Sequence, residues 1–287
     1  MTKFLLVLLL LTSSIIVFGQ KPAATGDHDY PIRPVPFTKV HFDDAFWAPR
    51  IEVNRTVSIP FAFQKCEETG RIRNFEIAAA VLRGDNPLDR KIPPYPFDDT
   101  DLYKVIEGAS FALAVKPDAR LEEYLDKLIA KIAAAQELDG YLYPARTINP
   151  LSPHKWSGLN RWELEKVDSH ELYNFGHLTE AAIVHFQATG KRTLLDVAIK
   201  EAQLCEELGM DAVFLAEHHF DGNCVYVDPP TFAAALSQAT SRIKIGFGVL
   251  QSSLYHPLRM GEQISLIDNL SKGRLIVGLG RGSLVNL

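Results

Sequence analysis

Apolar residues recur at helical spacing through most of the chain. One stripe falls three or four residues apart, at Leu121, Leu125, Leu128 and Ile132. Side chains at this spacing share one face of an α-helix, and the downstream Gly140 is a typical signal for a helix end. Similar stripes, separated by Pro-rich loops, continue from about residue 40 to residue 209. The pattern therefore predicts an all-α region of successive helices.

After Gly209 the pattern changes to short, continuous apolar runs. Three such runs alternate with helix-like segments, and they read DAVFLAE, RIKIGFGVL and RLIVGLGRG. Runs of this length are typical of strands buried on both faces, as in a parallel sheet. The order strand, helix, strand, helix, strand predicts a parallel α/β unit, entered from the helix that ends near Gly209.

The first twenty residues have a basic start at Lys3 and an apolar run from Phe4 to Phe18. The run is shorter than a membrane span of about 20 residues. We expect a cleaved signal peptide over residues 1–20, with export to the periplasm or the cell exterior. The alternative is an uncleaved anchor. Residues 21–39 are Pro-rich and predict an extended lead-in, and no later segment predicts a membrane span.

Composition narrows the class of protein. The 287 residues are 47% hydrophobic and 23% charged, with a net charge of −5, as expected of a globular protein. This balance offers no basic footprint for nucleic acid, so nucleic acid is not an expected partner. The cysteines are three in number, at Cys66, Cys205 and Cys224, without CxxC spacing. Each is predicted to be a small buried apolar side chain and not part of a disulfide framework or a zinc cage.

Several blocks of the helical region carry a family resemblance. They read HFDDAFWAPRIEVNRT, DTDLYKVIEGASFAL, IAAAQELDGYLYPA and DSHELYNFGHLTEAAIVHFQATGKRTLLDVAIK. Together, over residues 40–200, they resemble the β-L-arabinofuranosidase-type glycoside hydrolases of family 127. The resemblance implies an α/α-barrel catalytic domain that cleaves terminal L-arabinofuranose from plant-type glycans. The partner that it implies is a small molecule or a glycan.

Candidate sugar-binding residues lie in the last of these blocks. His170, Tyr173 and His177 are spaced to share one face near the start of a helix, where they could hydrogen-bond to and stack on a sugar. The resemblance implies that the block around His170 reaches the sugar. Asp168 and Glu171 have capping-box spacing, so Glu171 could simply cap this helix, and His177 could be a core histidine.

A second polar cluster comprises Asp99, Asp101 and Tyr103, which the resemblance places near the sugar pocket. Asp101 could equally cap the helix that follows. The resemblance also implies a cysteine nucleophile beside a zinc ion with Cys and Glu ligands. Those residues lie later in the family's chain than the segment present here, and Cys66 sits in none of those motifs. We therefore assign no catalytic residue and no metal ligand.

The C-terminal region resembles a different family. CEELGMDAVFLAEHHFD and the segment from TSRIKIGFGV to GLGRG resemble the luciferase-like flavin monooxygenases over residues 201–283. The resemblance implies a TIM barrel that uses FMN or a deazaflavin. Glu217, His218 and His219 follow a predicted strand, where TIM barrels place their chemistry, and Gly280 would leave backbone room near the flavin. The alternative is that the two histidines merely close the strand end by hydrogen bonding.

The fold class predicted is α + α/β. A partial α/α barrel at residues 40–200 would precede a partial TIM-barrel βαβαβ unit at residues 201–287. The resemblances meet near residues 198–204, inside a predicted helix, and indicate a chimera. The functions that compete are an exported glycosidase-derived protein without its nucleophile, a flavin monooxygenase, and an inactive chimeric product. Open barrels leave apolar surfaces and strand edges uncovered, so we also expect association or aggregation.

Overall fold

The computed structural model of the chain describes residues 37–87, 90, 91, 93–215, 217 and 229–281. The predicted signal peptide, most of the lead-in, and the candidates His218 and His219 lie outside the described residues. The chain divides into two units, Met1–Val40 and His41–Leu287. The described residues of the first unit form a 3₁₀ turn, Phe37–Lys39. The following elements all belong to the second unit.

The helical region is built from successive α-helices, as predicted. They are α1 (Trp47–Val53), α2 (Ile59–Glu68), α3 (Arg71–Leu82), α4 (Asp99–Val115), α5 (Ala119–Ala134), α6 (Pro144–Thr147), α7 (Glu171–Thr189) and α8 (Thr193–Glu207). A π-helical turn, Asn54–Ser58, joins α1 to α2. None of the helices in the described part of the chain is both long and apolar enough to cross a membrane.

Helix α5 illustrates how the apolar stripe directs packing. Asp118 caps its start by accepting hydrogen bonds from the backbone N–H groups of Arg120 and Leu121, at 3.1 and 3.2 Å. The residues of the stripe that are buried are Leu125, Leu128 and Ile132. The helix ends at Ala134, so the prediction that Gly140 ends it is wrong. Gly140 instead has φ +109°, and a Cβ there would lie 2.5 Å from the backbone oxygen of Lys200.

The start of α7 differs from the predicted capping box. Glu165 supplies the cap, because its carboxylate accepts from the backbone N–H groups of Glu171 at 2.7 Å and Leu172 at 3.3 Å. His170, directly before the helix, has φ 57° and turns the chain so that Glu165 can reach these amides. Glu171 does not cap its helix, since its carboxylate accepts from the Tyr141 hydroxyl at 2.6 Å and from the backbone N–H of Trp162 at 2.8 Å.

The C-terminal region contains the predicted parallel sheet. Its elements are β1 (Ala212–Leu215), α9 (Pro229–Ala239), β2 (Lys244–Gln251), α10 (Pro257–Ser271) and β3 (Leu275–Gly280). The strands are parallel in the order β1-β2-β3, with Phe214 opposite Gly246 and Gly246 opposite Ile276. The coarse prediction of a helical region followed by three parallel strands with helices is confirmed.

A continuous apolar core joins the helices to the sheet. It includes Leu195 and Ala202 of α8, Phe232 of α9, and Ile245 and Phe247 of β2. Helix α8 crosses the predicted boundary at residues 200 and 201, so the change in sequence pattern is not matched by a break in the core. The division into two domains at that point stays a prediction.

Glu206, at the end of α8, fastens the helical region to the sheet. Its carboxylate accepts from the backbone N–H groups of Ser241 at 2.8 Å, Arg242 at 2.7 Å and Ile243 at 2.9 Å. Burial works against the charge, but these hydrogen bonds outweigh it and lower the pKa of Glu206 to about 2. The ionised carboxylate thus holds the turn that leads into β2.

Candidate functional site

Five aromatic and histidine rings follow one another beside the start of α7, and we call them the aromatic row. Tyr95 lies 5.8 Å from Trp156 and stacks on Phe97 at 5.5 Å, measured between ring centroids. Phe97 contacts His170 at 4.9 Å, and His170 contacts Tyr173 at 5.9 Å. Tyr95 is 48% exposed and Tyr173 is 42% exposed, so the row presents ring surface to solvent at both of these tyrosines.

His170 is held with a defined tautomer. Its Nδ1 lies 2.5 Å from the backbone oxygen of Asp168, and because a carbonyl can only accept, Nδ1 carries the proton. In the neutral ring Nε2 is then an acceptor, which suits a sugar hydroxyl as its partner. Tyr173 lies in the first turn of α7, and its hydroxyl accepts from Lys104 Nζ at 2.9 Å.

A groove of about 400 Å³ lies between α2 and α4, and we call it the α2–α4 groove. It is lined by Ala62, Lys65, Cys66, Thr69, Arg71, Asp101, Lys104 and Val105. Lys104 links it to the aromatic row, because the Lys104 ammonium also lies 5.2 Å from the centroid of the Tyr173 ring. The structure therefore brings Asp101, Tyr173 and His170 to neighbouring positions on one surface.

Asp99 and Asp101 do not share a site. Asp101 lines the groove, and instead of capping α4 it accepts from Arg71 Nε at 2.5 Å. Asp99 is 1% exposed and neither of its carboxyl oxygens has a hydrogen bond of ordinary geometry. Burial raises the pKa of Asp99 to about 8, against the opposing effect of the neighbouring Asn74 amide. Tyr103 is a core residue whose ring centroid lies 5.8 Å from that of Phe75, so the structure does not bring all three side chains of the predicted polar cluster to one surface. A sugar contact for Asp99 and Asp101 stays a prediction.

Buried acids behind the aromatic row were missed by the sequence reasoning. His177 Nδ1 lies 2.8 Å from Glu180 Oε2, and both side chains are buried. Burial raises the pKa of Glu180 to about 10, with Glu107 adding to the effect, and burial lowers the pKa of His177 to about 4. Although the distance would allow an ion pair, we favour the neutral pair, because burial penalises both charges. Burial also raises the pKa of Glu107 to about 7. The sequence signal was a glutamate three residues after His177.

Glu217 is the strand-end candidate of this group that the structure describes, and it lies in a hydrogen-bonded cluster. Glu217 is 3% exposed, and its carboxylate accepts from the backbone N–H of Gln251 at 2.5 Å and from the Tyr255 hydroxyl at 2.7 Å. At Gly280 an added Cβ would lie 2.6 Å from a methyl carbon of Val249. The space beside Gly280 is therefore filled by Val249, and these described residues do not form a cradle that fits a flavin ring. A flavin contact for Glu217, His218, His219 and Gly280 stays a prediction.

A zinc ion does not fit the described residues either. No group of three or more His, Cys, Asp or Glu side chains among them could hold a metal ion. Cys66 and Cys205 are buried, as predicted, and burial raises the pKa of their thiols to about 11 and about 12. Zinc binds the thiolate form, which such burial disfavours. Cys224 lies outside the described part of the chain.

Comparisons with known proteins match the helical region to one family. The model of the GH127 catalytic domain of β-L-arabinofuranosidases matches residues 39–217. A non-reducing end β-L-arabinofuranosidase of Bifidobacterium longum subsp. longum is 37% identical over 131 residues, covering 46% of this chain and 18% of the relative. A solved structure of a GH127 β-arabinofuranosidase superposes with a TM-score of 0.59 at 44% identity, covering 75% of this chain and 32% of that chain.

The C-terminal region matches a second family. The model of luciferase-like monooxygenases matches residues 174–286, so the two matches overlap across α7, α8 and β1. A limonene 1,2-monooxygenase of Rhodococcus erythropolis is 40% identical over 81 residues, covering 28% of this chain and 21% of the relative. The chain thus spans about a fifth of the length of each of these two relatives.

Proposed function

Because the chain belongs to the family of GH127 β-L-arabinofuranosidase catalytic domains, we propose that its helical region binds a terminal furanosyl sugar. The sugar would lie on the aromatic row and extend into the α2–α4 groove. In this proposal the helices form part of an α/α barrel, the chain derives from an exported glycoside hydrolase, and it binds sugar without hydrolysing it.

The observation that carries the proposal is that the aromatic row and the α2–α4 groove meet at Lys104. Exposed rings such as Tyr95 and Tyr173 offer apolar faces to the C–H groups of a sugar. Asp101 offers an acceptor in the groove, and His170 Nε2 offers another beside the row. An apolar surface with a few convergent polar groups is the usual composition of a small-molecule site.

The positions of the acids support binding without hydrolysis. Glycoside hydrolysis needs two suitably placed groups, one to protonate the leaving oxygen and one to attack or activate water. Asp99 and Glu180 are almost fully buried, and Asp101 is paired with Arg71. The zinc-held cysteine that the family resemblance implies has no fitting ligands among the described residues.

The test of this proposal separates binding from turnover. Titration with methyl β-L-arabinofuranoside should give saturable heat or fluorescence changes, whereas a nitrophenyl β-L-arabinofuranoside should release no more nitrophenol than with an unrelated protein. Turnover above that control would contradict the absence of hydrolysis. An absence of saturable binding to any furanoside would contradict the sugar site itself.

A luciferase-like flavin oxidoreductase is the second candidate function. The parallel order β1-β2-β3 favours it, and in this reading the region is a partial TIM-barrel βαβαβ unit. Purified protein that retains flavin absorbance, or that quenches added FMN or deazaflavin, would support it. The Glu217 carboxylate already accepts hydrogen bonds from Gln251 and Tyr255, and Val249 fills the space at Gly280. We therefore rank this function below sugar binding.

The chimeric origin is also a proposal. Two family matches in one chain support a fusion near residues 198–204, which could be real or a sequence-assembly error, and the gene product could be inactive. One long DNA read through the codons for residues 190–215 decides between a real fusion and an assembly error. Fractionation of cells that express the chain tests export by the apolar N-terminal segment.

A further inference from the structure

We propose that Lys104 gives the α2–α4 groove a preference for saccharides that carry a carboxylate, such as a uronic acid unit. The inference rests on the proposed sugar binding of this same surface. It adds a chemical class of ligand that neither family match assigns to this chain.

The charges that line the groove are unequally compensated. Three cations and one anion line it: Lys65, Arg71, Lys104 and Asp101. Lys65 pairs with Glu68 at 2.5 Å, outside the groove lining. Arg71 binds the Asp101 carboxylate at 2.5 Å and lies 3.4 Å from that of Asp98. Two of the three cations therefore already have carboxylate partners.

Lys104 is the third cation of the α2–α4 groove, and it has no carboxylate partner among the described residues. Its Nζ donates to the hydroxyl of Tyr173, a neutral group, and it takes part in no ion pair among the described residues. Its side chain is exposed. Burial raises the pKa of Glu107 and the Lys104 charge opposes that rise, but among the described residues no carboxylate hydrogen-bonds to the Lys104 ammonium. An incoming carboxylate would therefore gain a charge-assisted hydrogen bond there.

The position of Lys104 gives this charge its selectivity. The ammonium lies 5.2 Å from the centroid of the Tyr173 ring and at the same time lines the groove. A sugar ring that stacks on Tyr173 would thus carry its ring substituent towards Nζ. A carboxylate in that position meets a cation, whereas a hydroxymethyl group in the same position gains only a neutral hydrogen bond.

The experiment compares two ligands that differ only in this substituent. Methyl galacturonide and methyl galactoside are titrated into the full chain by calorimetry at low ionic strength. We expect the galacturonide to bind at least about tenfold more tightly, and added salt to reduce the difference. Lys104→Gln should abolish the preference, and Lys104→Arg should keep it. Lys127→Gln, which removes an exposed lysine on α5 paired with Glu123, should leave it unchanged.

The outcomes distinguish this inference from the proposed function. If methyl arabinofuranoside binds but the two galactose-type ligands bind equally, the role of Lys104 is overturned and the sugar site stands. If Lys104→Gln, folded by circular dichroism, keeps the preference, the role of Lys104 is overturned as well. If no saccharide binds the unchanged chain, both proposals fail together.

Discussion

The Tyr141 hydroxyl donates a hydrogen bond of 2.6 Å to Glu171, and both side chains are almost fully buried. Glu171 opens α7 directly after His170, so this bond connects the loop after α5 to the backbone that positions the aromatic row. The sugar surface therefore depends on a buried polar contact between distant segments of the chain.

The first prediction concerns this bond. Tyr141→Phe removes the hydroxyl and leaves a buried carboxyl oxygen of Glu171 without its donor, so we expect a loss of about 1–3 kcal/mol in the free energy of unfolding. Tyr124→Phe is the matched control, because its hydroxyl donates to Glu67 at 2.7 Å at an exposed position. Urea denaturation of both variants measures the difference, and equal losses would contradict a special role for the buried bond.

The second prediction concerns Asp99 and pH. Burial raises the pKa of Asp99 to about 8 from a usual value of 3.8, so the unfolded chain releases this proton at lower pH than the folded chain. The contribution of Asp99 to the free energy of unfolding is therefore fully present below pH 3.8 and is lost as the pH rises towards 8.

Asp99→Asn removes that titration. We expect it to raise stability at pH 8, by an amount on the order of 1 kcal/mol or more, and to flatten the pH profile of the unfolding free energy. Glu123→Gln is the control, since the pKa of this exposed acid is lowered by Lys127, and it should give no such gain. A profile that Asp99→Asn leaves unaltered would show that the carboxyl is not desolvated.

The third prediction concerns the connection from α8 to the sheet. The pKa of Glu206 is lowered to about 2, so its contribution is present above the usual value of 4.5 and disappears as the pH falls towards 2. Glu206→Gln should cost about 1–2 kcal/mol at pH 7, after allowance for solvent screening, and much less at pH 3. The neighbouring Glu207→Gln is the control. Equal effects of Glu206→Gln at both pH values would argue against the ionised carboxylate.

The fourth prediction separates stacking from hydrogen bonding at the sugar surface. If the Tyr173 ring supports the sugar, Tyr173→Ala should weaken the binding of methyl β-L-arabinofuranoside by about tenfold, and Tyr173→Phe should keep most of the affinity. Leu172→Ala changes an exposed neighbour on the same helix and should have little effect. Calorimetric titration measures all three, and equal losses for the Ala and Phe variants would place the contribution in the hydroxyl group.

Local patterns were sufficient for the elements but not for their ends. Leu125, Leu128 and Ile132 are buried as their spacing predicts, because helical periodicity alone decides which side chains share a face. The capping box of Asp168 and Glu171 failed because Glu165, outside the expected motif, reaches the same amides through the turn at His170. Which side chain caps the helix depends on the conformation of the preceding loop.

The sequence by itself determined the helical region, the parallel strands and the two family resemblances, since periodicity and motif order are properties of the chain alone. Only the tertiary structure decided the site. It buried Asp99 in the core and left Asp101 lining the groove. It joined Lys104 to Tyr173, 69 positions later in the chain, and it buried Glu180 beside His177. Which polar groups meet and which lose water depends on how the helices pack against one another, and no local pattern encodes that packing.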